Sequence, residues 1–147
     1  MKLILSFVIS FGLLSSMSAK ANEAVIEEMG EYLMFQEYES GIILPQQIDR
    51  SVFEVVTWID TRDSEQFDKQ TILGAIHIEW RQVIERMDEI PTDRKVIVFC
   101  NTGSLFAQAA FALRVAGFDN VVVMQSGFLA WLETQPTVRQ NNERAIA

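Results

Sequence analysis

The sequence predicts an α/β fold in which a central parallel sheet is covered by helices on both faces. Three observations predict it. Strand-like and helix-like segments alternate from residue 53 to residue 135, and that order calls for parallel strands joined by helical crossovers. KVIVF (95–99) and NVVVM (120–124) carry unbroken apolar runs, as strands buried on both faces do. The 147-residue chain has no internal repeat and no low-complexity linker, so one domain is the economical reading.

Taken in order, residues 1–21 read as a secretory signal peptide. Lys2 is followed by an apolar run from Leu3 to Leu14, and Ala19-Lys20-Ala21 offers small residues at a cleavage site. The run is shorter than the roughly 20 residues that span a bilayer, so no stable membrane insertion is expected after cleavage. Residues 22–44 read as an N-terminal helical extension. Val25, Met29, Tyr32 and Leu33 recur at helical spacing up to Tyr38, and Ser40-Gly41 stops the helix. GIILPQQI is then a short extended piece.

Residues 45–136 form the predicted domain. FEVVTWID (53–60) is β-branched and aromatic, hence a strand. A short helix follows, with Ser64 as its N-cap. GAIHI (74–78) is a short strand, and EWRQVIERMDEI is predicted as a helix broken by Pro91. KVIVF is the strongest strand. The Ala-rich segment 104–118 is a helix closed by Gly117. NVVVM is the next strand, and SGFLAWLETQ (126–135) is the last helix, ended by Pro136. Residues 137–147 form a polar tail.

Charge narrows the function. The chain carries 12 Lys and Arg against 20 Asp and Glu, a net −8. Removal of Lys2 and Lys20 with the leader takes this to −10. Such a surface repels phosphate backbones and anionic lipid, which argues against nucleic acid as a partner. No Cys/His cluster has zinc spacing, so neither metal nor cofactor is indicated.

The only cysteine, Cys100, stands at the end of the strongest strand, followed by Asn101, Thr102, Gly103 and Ser104. One cysteine cannot form an intramolecular disulfide. It is either a small buried core residue or a nucleophile. In an open parallel sheet, ligands bind beyond the carboxyl ends of the strands. A short polar loop with a glycine, leading into a helix, can turn its backbone N–H groups inward and cradle an anion. An anionic sulfur is stabilised there and attacks more readily. His77 is the only histidine, and no partner marks it as a base, so it is read as structural.

The segment from about Pro45 to Leu132 resembles the rhodanese family of single-domain sulfurtransferases. WIDTRDSEQF is similar to the family's Asp-x-Arg segment at Asp60, Arg62 and Phe67. ILGAIHI is similar to its Gly-Ala segment at Gly74 and Ala75. VIVFCNTG resembles the active-site strand and loop. AGFDNVVVMQSGFLAW resembles the closing segment at Gly117, Phe118, Val121, Gly127 and Trp131. The resemblance implies a three-layer rhodanese-like fold and a persulfide carried on Cys100. It also implies an anion cradle formed by Asn101, Thr102, Gly103, Ser104 and Leu105, with Asp60 and Arg62 supporting the site from beneath. The partners it implies are a small sulfur donor and a thiol or cyanide-type acceptor, a protein acceptor being the other option. With the leader, the expected location is periplasmic or secreted.

Two positions depart from the family. Leu105 and Phe106 stand where the family often has a basic residue followed by a small one, and Ser126 replaces the first glycine of a pair. Without a cation at 105 the loop holds a dianion such as thiosulfate poorly. The same position cannot clamp a phosphoryl group, so phosphatase chemistry is disfavoured. The departure leaves a second expectation open, a non-catalytic module of the same fold that binds a protein or a sulfur species.

Overall fold

The structure is a computed structural model, and it describes residues 23–38 and 40–135. The predicted leader 1–21, its cleavage site and the tail 137–147 lie outside the described residues. The chain divides into two units, residues 1–38 and 39–147. In the first, residues 23–35 form helix α1, ending short of the predicted Tyr38.

The second unit is built on a five-stranded sheet. Its strands are β1 (Ile42–Ile43), β2 (Thr57–Asp60), β3 (Ile76–His77), β4 (Val96–Phe99) and β5 (Val121–Met124), in the spatial order β1-β5-β4-β2-β3. Every pairing is parallel, with Thr57 opposite Val96 and Val96 opposite Val121. Helices α2 (Arg50–Val55), α3 (Ser64–Lys69), α4 (Ser104–Val115) and α5 (Gly127–Thr134) complete the domain. The α/β class read from the sequence is the one observed.

Side-chain alternation along β4 explains both faces. Val96 and Val98 join one core with Phe106, Ala109, Ala110 and Leu113 of α4. Ile97 and Phe99 join the other with Trp58, Met124 and Phe128. All four β4 side chains are fully buried, which is why the segment reads as a continuous apolar run rather than an alternating one. At its far end, α4 closes on Gly117 with φ +94°. The Phe118 N–H reaches back to the Leu113 carbonyl (3.0 Å) and the Gly117 N–H to that of Arg114 (2.9 Å), a Schellman closure.

Several boundaries depart from the sequence reading. The predicted strand 53–60 is helical as far as Val55, because Asp49 caps the turn by accepting the Val52 N–H (2.9 Å). The ladder starts only where the Thr57 N–H meets the Lys95 carbonyl. Local cap geometry outweighs β propensity there. The N-cap of α3 is Asp63, not Ser64; its carboxylate accepts from the Gln66 N–H. That bond and the Gln66 side chain hold the Asp63 carboxyl below its ordinary pKa range. The predicted helix 79–90 is instead two 3-10 turns, Trp80–Gln82 and Met87–Glu89. The Ile78 and Trp80 N–H groups bind the Asp60 and Thr61 carbonyls, so the chain is still tied alongside the end of β2 where the helix was expected to begin. Strand β1, within the predicted extended piece, pairs with β5 at the edge of the sheet.

Candidate active site

The carboxyl end of β4 delivers Cys100, and the chain turns into α4 over Asn101, Thr102 and Gly103. Gly103 has φ +145° and serves as the N-cap. Only glycine takes that conformation without strain, and it aims its own N–H back at the Cys100 sulfur, 3.4 Å away. Cys100 is 4% exposed and packs in the α4-side core. It is thus both buried, as a core residue is, and held with its sulfur under a backbone donor at a helix start. Thr102, Ser104 and Leu105 are exposed around it, while Phe106 turns inward.

Beneath the loop stands a saturated polar post. Asp60 is fully buried and Arg62 5% exposed. The Arg62 guanidinium donates through Nε to both Asp60 oxygens (2.9 and 3.2 Å) and through Nη2 to Oδ2 (2.6 Å). Nη2 also reaches the Gln70 carbonyl (2.7 Å), and Nη1 donates to Asn101 Oδ1 (3.1 Å). Thr71 Oγ1 donates to Asp60 Oδ2 (2.8 Å). The Phe128 ring lies 4.3 Å from the guanidinium carbon, a cation–π contact. Asn101 completes the post by donating from Nδ2 to Gln66 Oε1. Among the described residues, no buried side-chain nitrogen or oxygen lacks a partner.

The predicted site residues are therefore brought together with different tasks. Cys100 and Gly103 form the sulfur's immediate surroundings. The Asn101 side chain is spent on Arg62 and Gln66, so this residue offers an incoming molecule its backbone only. Asp60 and Arg62 lie under the loop. His77 donates from Nε2 to the Arg62 carbonyl (2.7 Å) and stacks on Phe67 at 4.7 Å. That ties β3 to the post.

Sequence reasoning passed over Gln66, Gln70 and Thr71, whose roles arise from contacts across the fold. The N-terminus of α5 was also unassigned. The Phe128 N–H binds the Cys100 carbonyl (2.7 Å) and the Leu129 N–H binds that of Asn101 (3.3 Å), so a second helix start holds the loop from outside. Ser126 sits just before it at φ +62°, the left-handed region, where a serine is strained and a glycine would not be. No group of three His, Cys, Asp or Glu among the described residues is placed to hold a metal ion.

Residues 44–134 match the Rhodanese-like domain family. The chain is 36% identical over 72 residues to thiosulfate sulfurtransferase PspE of Escherichia coli, covering 48% of this chain and 69% of that one. It is 33% identical over 81 residues to a probable adenylyltransferase/sulfurtransferase, MoeZ, of Mycobacterium tuberculosis. That match covers 50% of this chain and spans only 19% of the relative's length. The crystal structure of a rhodanese-related protein from Thermoplasma volcanium superposes with a TM-score of 0.57 at 24% identity, over 62% of this chain and 89% of that one.

Proposed function

The chain belongs to the rhodanese-like domain family, and from that premise we propose that it is a sulfurtransferase carrying sulfane sulfur as a persulfide on Cys100. The observation that carries this reading is the position of the sulfur, beyond the carboxyl end of β4 and under the Gly103 N–H at 3.4 Å. The Cys100 thiolate attacks the outer sulfur of a donor. The donor's S–S bond breaks, its remainder leaves with the electron pair (sulfite, for thiosulfate), and Cys100 keeps an anionic terminal sulfur. The start of α4 suits that charge. An acceptor thiolate or cyanide then attacks the outer sulfur and releases the Cys100 thiolate. Relatives named as sulfurtransferases support the class of reaction. Leu105 is 37% exposed beside the loop and brings no cation, which favours donors less charged than thiosulfate.

Mass spectrometry after incubation with inorganic polysulfide tests the proposal. The expected result is a gain of one sulfur atom on Cys100, lost on adding cyanide or a thiol and absent from Cys100→Ser. No adduct with any donor would leave the chain a non-catalytic module of the same fold.

The proposal extends to export. Residues 1–21 are removed and the protein works in an oxidising extracytoplasmic compartment, as the apolar run and Ala19-Lys20-Ala21 suggest. N-terminal sequencing of the protein from that compartment is expected to begin at Asn22; a product retaining Leu3 to Leu14 in the membrane would refute it.

A further inference from the structure

Resting on the sulfurtransferase reading, we infer that Arg81 is the residue that meets the anionic end of the sulfur donor. Side-chain alternation puts its neighbour Trp80 on the sulfur's side of the sheet. Val96 and Val98 face the α4-side core, and Cys100 continues that alternation into the same core. Ile76 and Ile78 do so from β3, and Trp80 follows them onto the same face. The level also matches. Asp60 pairs with Phe99, so Thr61 stands beside Cys100, and the Thr61 carbonyl takes the Trp80 N–H (3.1 Å). Trp80 therefore lies two strand positions from Cys100, about 10 Å across the sheet at roughly 4.8 Å per strand.

Helix α4 packs against the Trp80–Gln82 turn, so the start of α4 and this turn form two lips on the Cys100 face. Leu105 brings no charge to the first lip. Arg81 brings one to the second. Its guanidinium lies over the Trp80 ring, 5.0 Å from the centroid, within reach of a cation–π contact. Glu79 steadies it from the side: one carboxylate oxygen accepts the Arg81 N–H (3.0 Å) and the other stands 3.6 Å from the guanidinium. That second separation is longer than a hydrogen bond, and the Arg81 side chain is still 73% exposed. The contacts thus fix the guanidinium without using up its donors. Arg62, by contrast, is stacked on Phe128 at the opposite face and saturated by Asp60, Asn101 and the Gln70 carbonyl.

The chain's net −8 repels an approaching anion, and a cation on the rim offsets that locally. The span from Trp80 to Cys100 is about one Debye length at 0.1 M salt, so at low ionic strength the attraction reaches a donor seated on the sulfur. One cation partly offset by Glu79 matches a donor of one negative charge, such as an alkanethiosulfonate, better than thiosulfate with two. With such a donor the Cys100 thiolate bonds to the sulfane sulfur, the bond from that sulfur to the sulfonyl sulfur breaks, and the alkanesulfinate leaves with the electron pair.

Two measurements on the whole protein test the inference. The first needs no sulfur transfer: Cys100 is alkylated with anionic iodoacetate or neutral iodoacetamide at low ionic strength, and the ratio of the two rates is compared among variants. Arg81→Gln is expected to lower the iodoacetate-to-iodoacetamide ratio by about two- to fivefold, the range of one solvent-exposed ion pair. Arg81→Lys is expected to restore most of it. Arg94→Gln, before the amino end of β4, is expected to leave the ratio unchanged although it removes the same charge. In the second measurement, sulfur loading from methanethiosulfonate is expected to show KM raised by the same factor in Arg81→Gln, with kcat unaltered. A ratio that Arg81→Gln leaves unchanged, or that Arg94→Gln lowers as much, would overturn the assignment of Arg81. Failure of Cys100 to gain sulfur from polysulfide would instead sink the sulfurtransferase reading, and the alkylation ratio would still judge Arg81. A Cys100 that neither reagent modifies would refute an open Cys100 face and both readings with it.

Discussion

Arg62→Met is expected to destabilise the domain by about 3–5 kcal/mol, the cost of removing one partner from a buried ion pair. The reason is the carboxylate left behind. Asp60 is fully buried and takes three side-chain hydrogen bonds from Arg62. After the substitution it keeps the Thr71 hydroxyl and the backbone N–H of residue 62, but no counter-charge. Asn101 loses the donor on its Oδ1 at the same time, so the sulfur loop loosens and transfer falls with stability. Urea denaturation measures the first effect. Asp60→Asn combined with Arg62→Met is expected to cost less than the sum of the two single changes, because both remove the same pair. A loss below about 1 kcal/mol for Arg62→Met would show that the post does not carry the charge pairing argued for it.

Gly127→Ala is the second large effect. Gly127 has φ +64°, where a side chain costs roughly 1–2 kcal/mol. Its added Cβ would lie 2.4 Å from the Cys100 carbonyl oxygen and 2.6 Å from that of Asn101. These are backbone atoms of the loop itself and cannot swing aside as a side-chain tip could. Relief requires α5 to back away, which lengthens the Phe128 and Leu129 N–H bonds to the loop, each worth about 1 kcal/mol. The expected loss is therefore about 3 kcal/mol or more, with sulfur loading of Cys100 impaired even where the variant stays folded. Gly117→Ala isolates the backbone term, since Gly117 also has positive φ (+94°) but nothing within 4 Å of an added Cβ. Equal destabilisation of the two variants would mean that contact with the loop contributes nothing.

Local signals made much of the fold legible. The apolar runs of β4 and β5 announced strands buried on both faces, and the Gly117 stop was readable because one residue's backbone freedom decides it. The place of Cys100, just past the end of β4 and first in the loop, followed from that strand alone. Segments with competing local signals were misplaced. Val55 and Val56 favour a strand by composition, but Asp49 caps a helix through Val55 before the ladder can start. In 79–90 the apolar residues repeat as a helix would, while the Trp80 N–H is held by the Thr61 carbonyl just beyond β2.

By itself, then, the sequence determined the α/β class, the strongest strands and a lone cysteine at a carboxyl edge, because burial periodicity and turn chemistry are written in neighbouring residues. The tertiary structure alone decided that Asn101 is an anchor rather than a free contact, since its partner Arg62 lies 39 residues away in the chain. It also decided that Gly127 leaves no room for a Cβ beside the Cys100 carbonyl. Such contacts exist only once parallel pairing has brought the ends of β2, β4 and β5 to one edge, and no spacing within a segment records which distant groups will meet there.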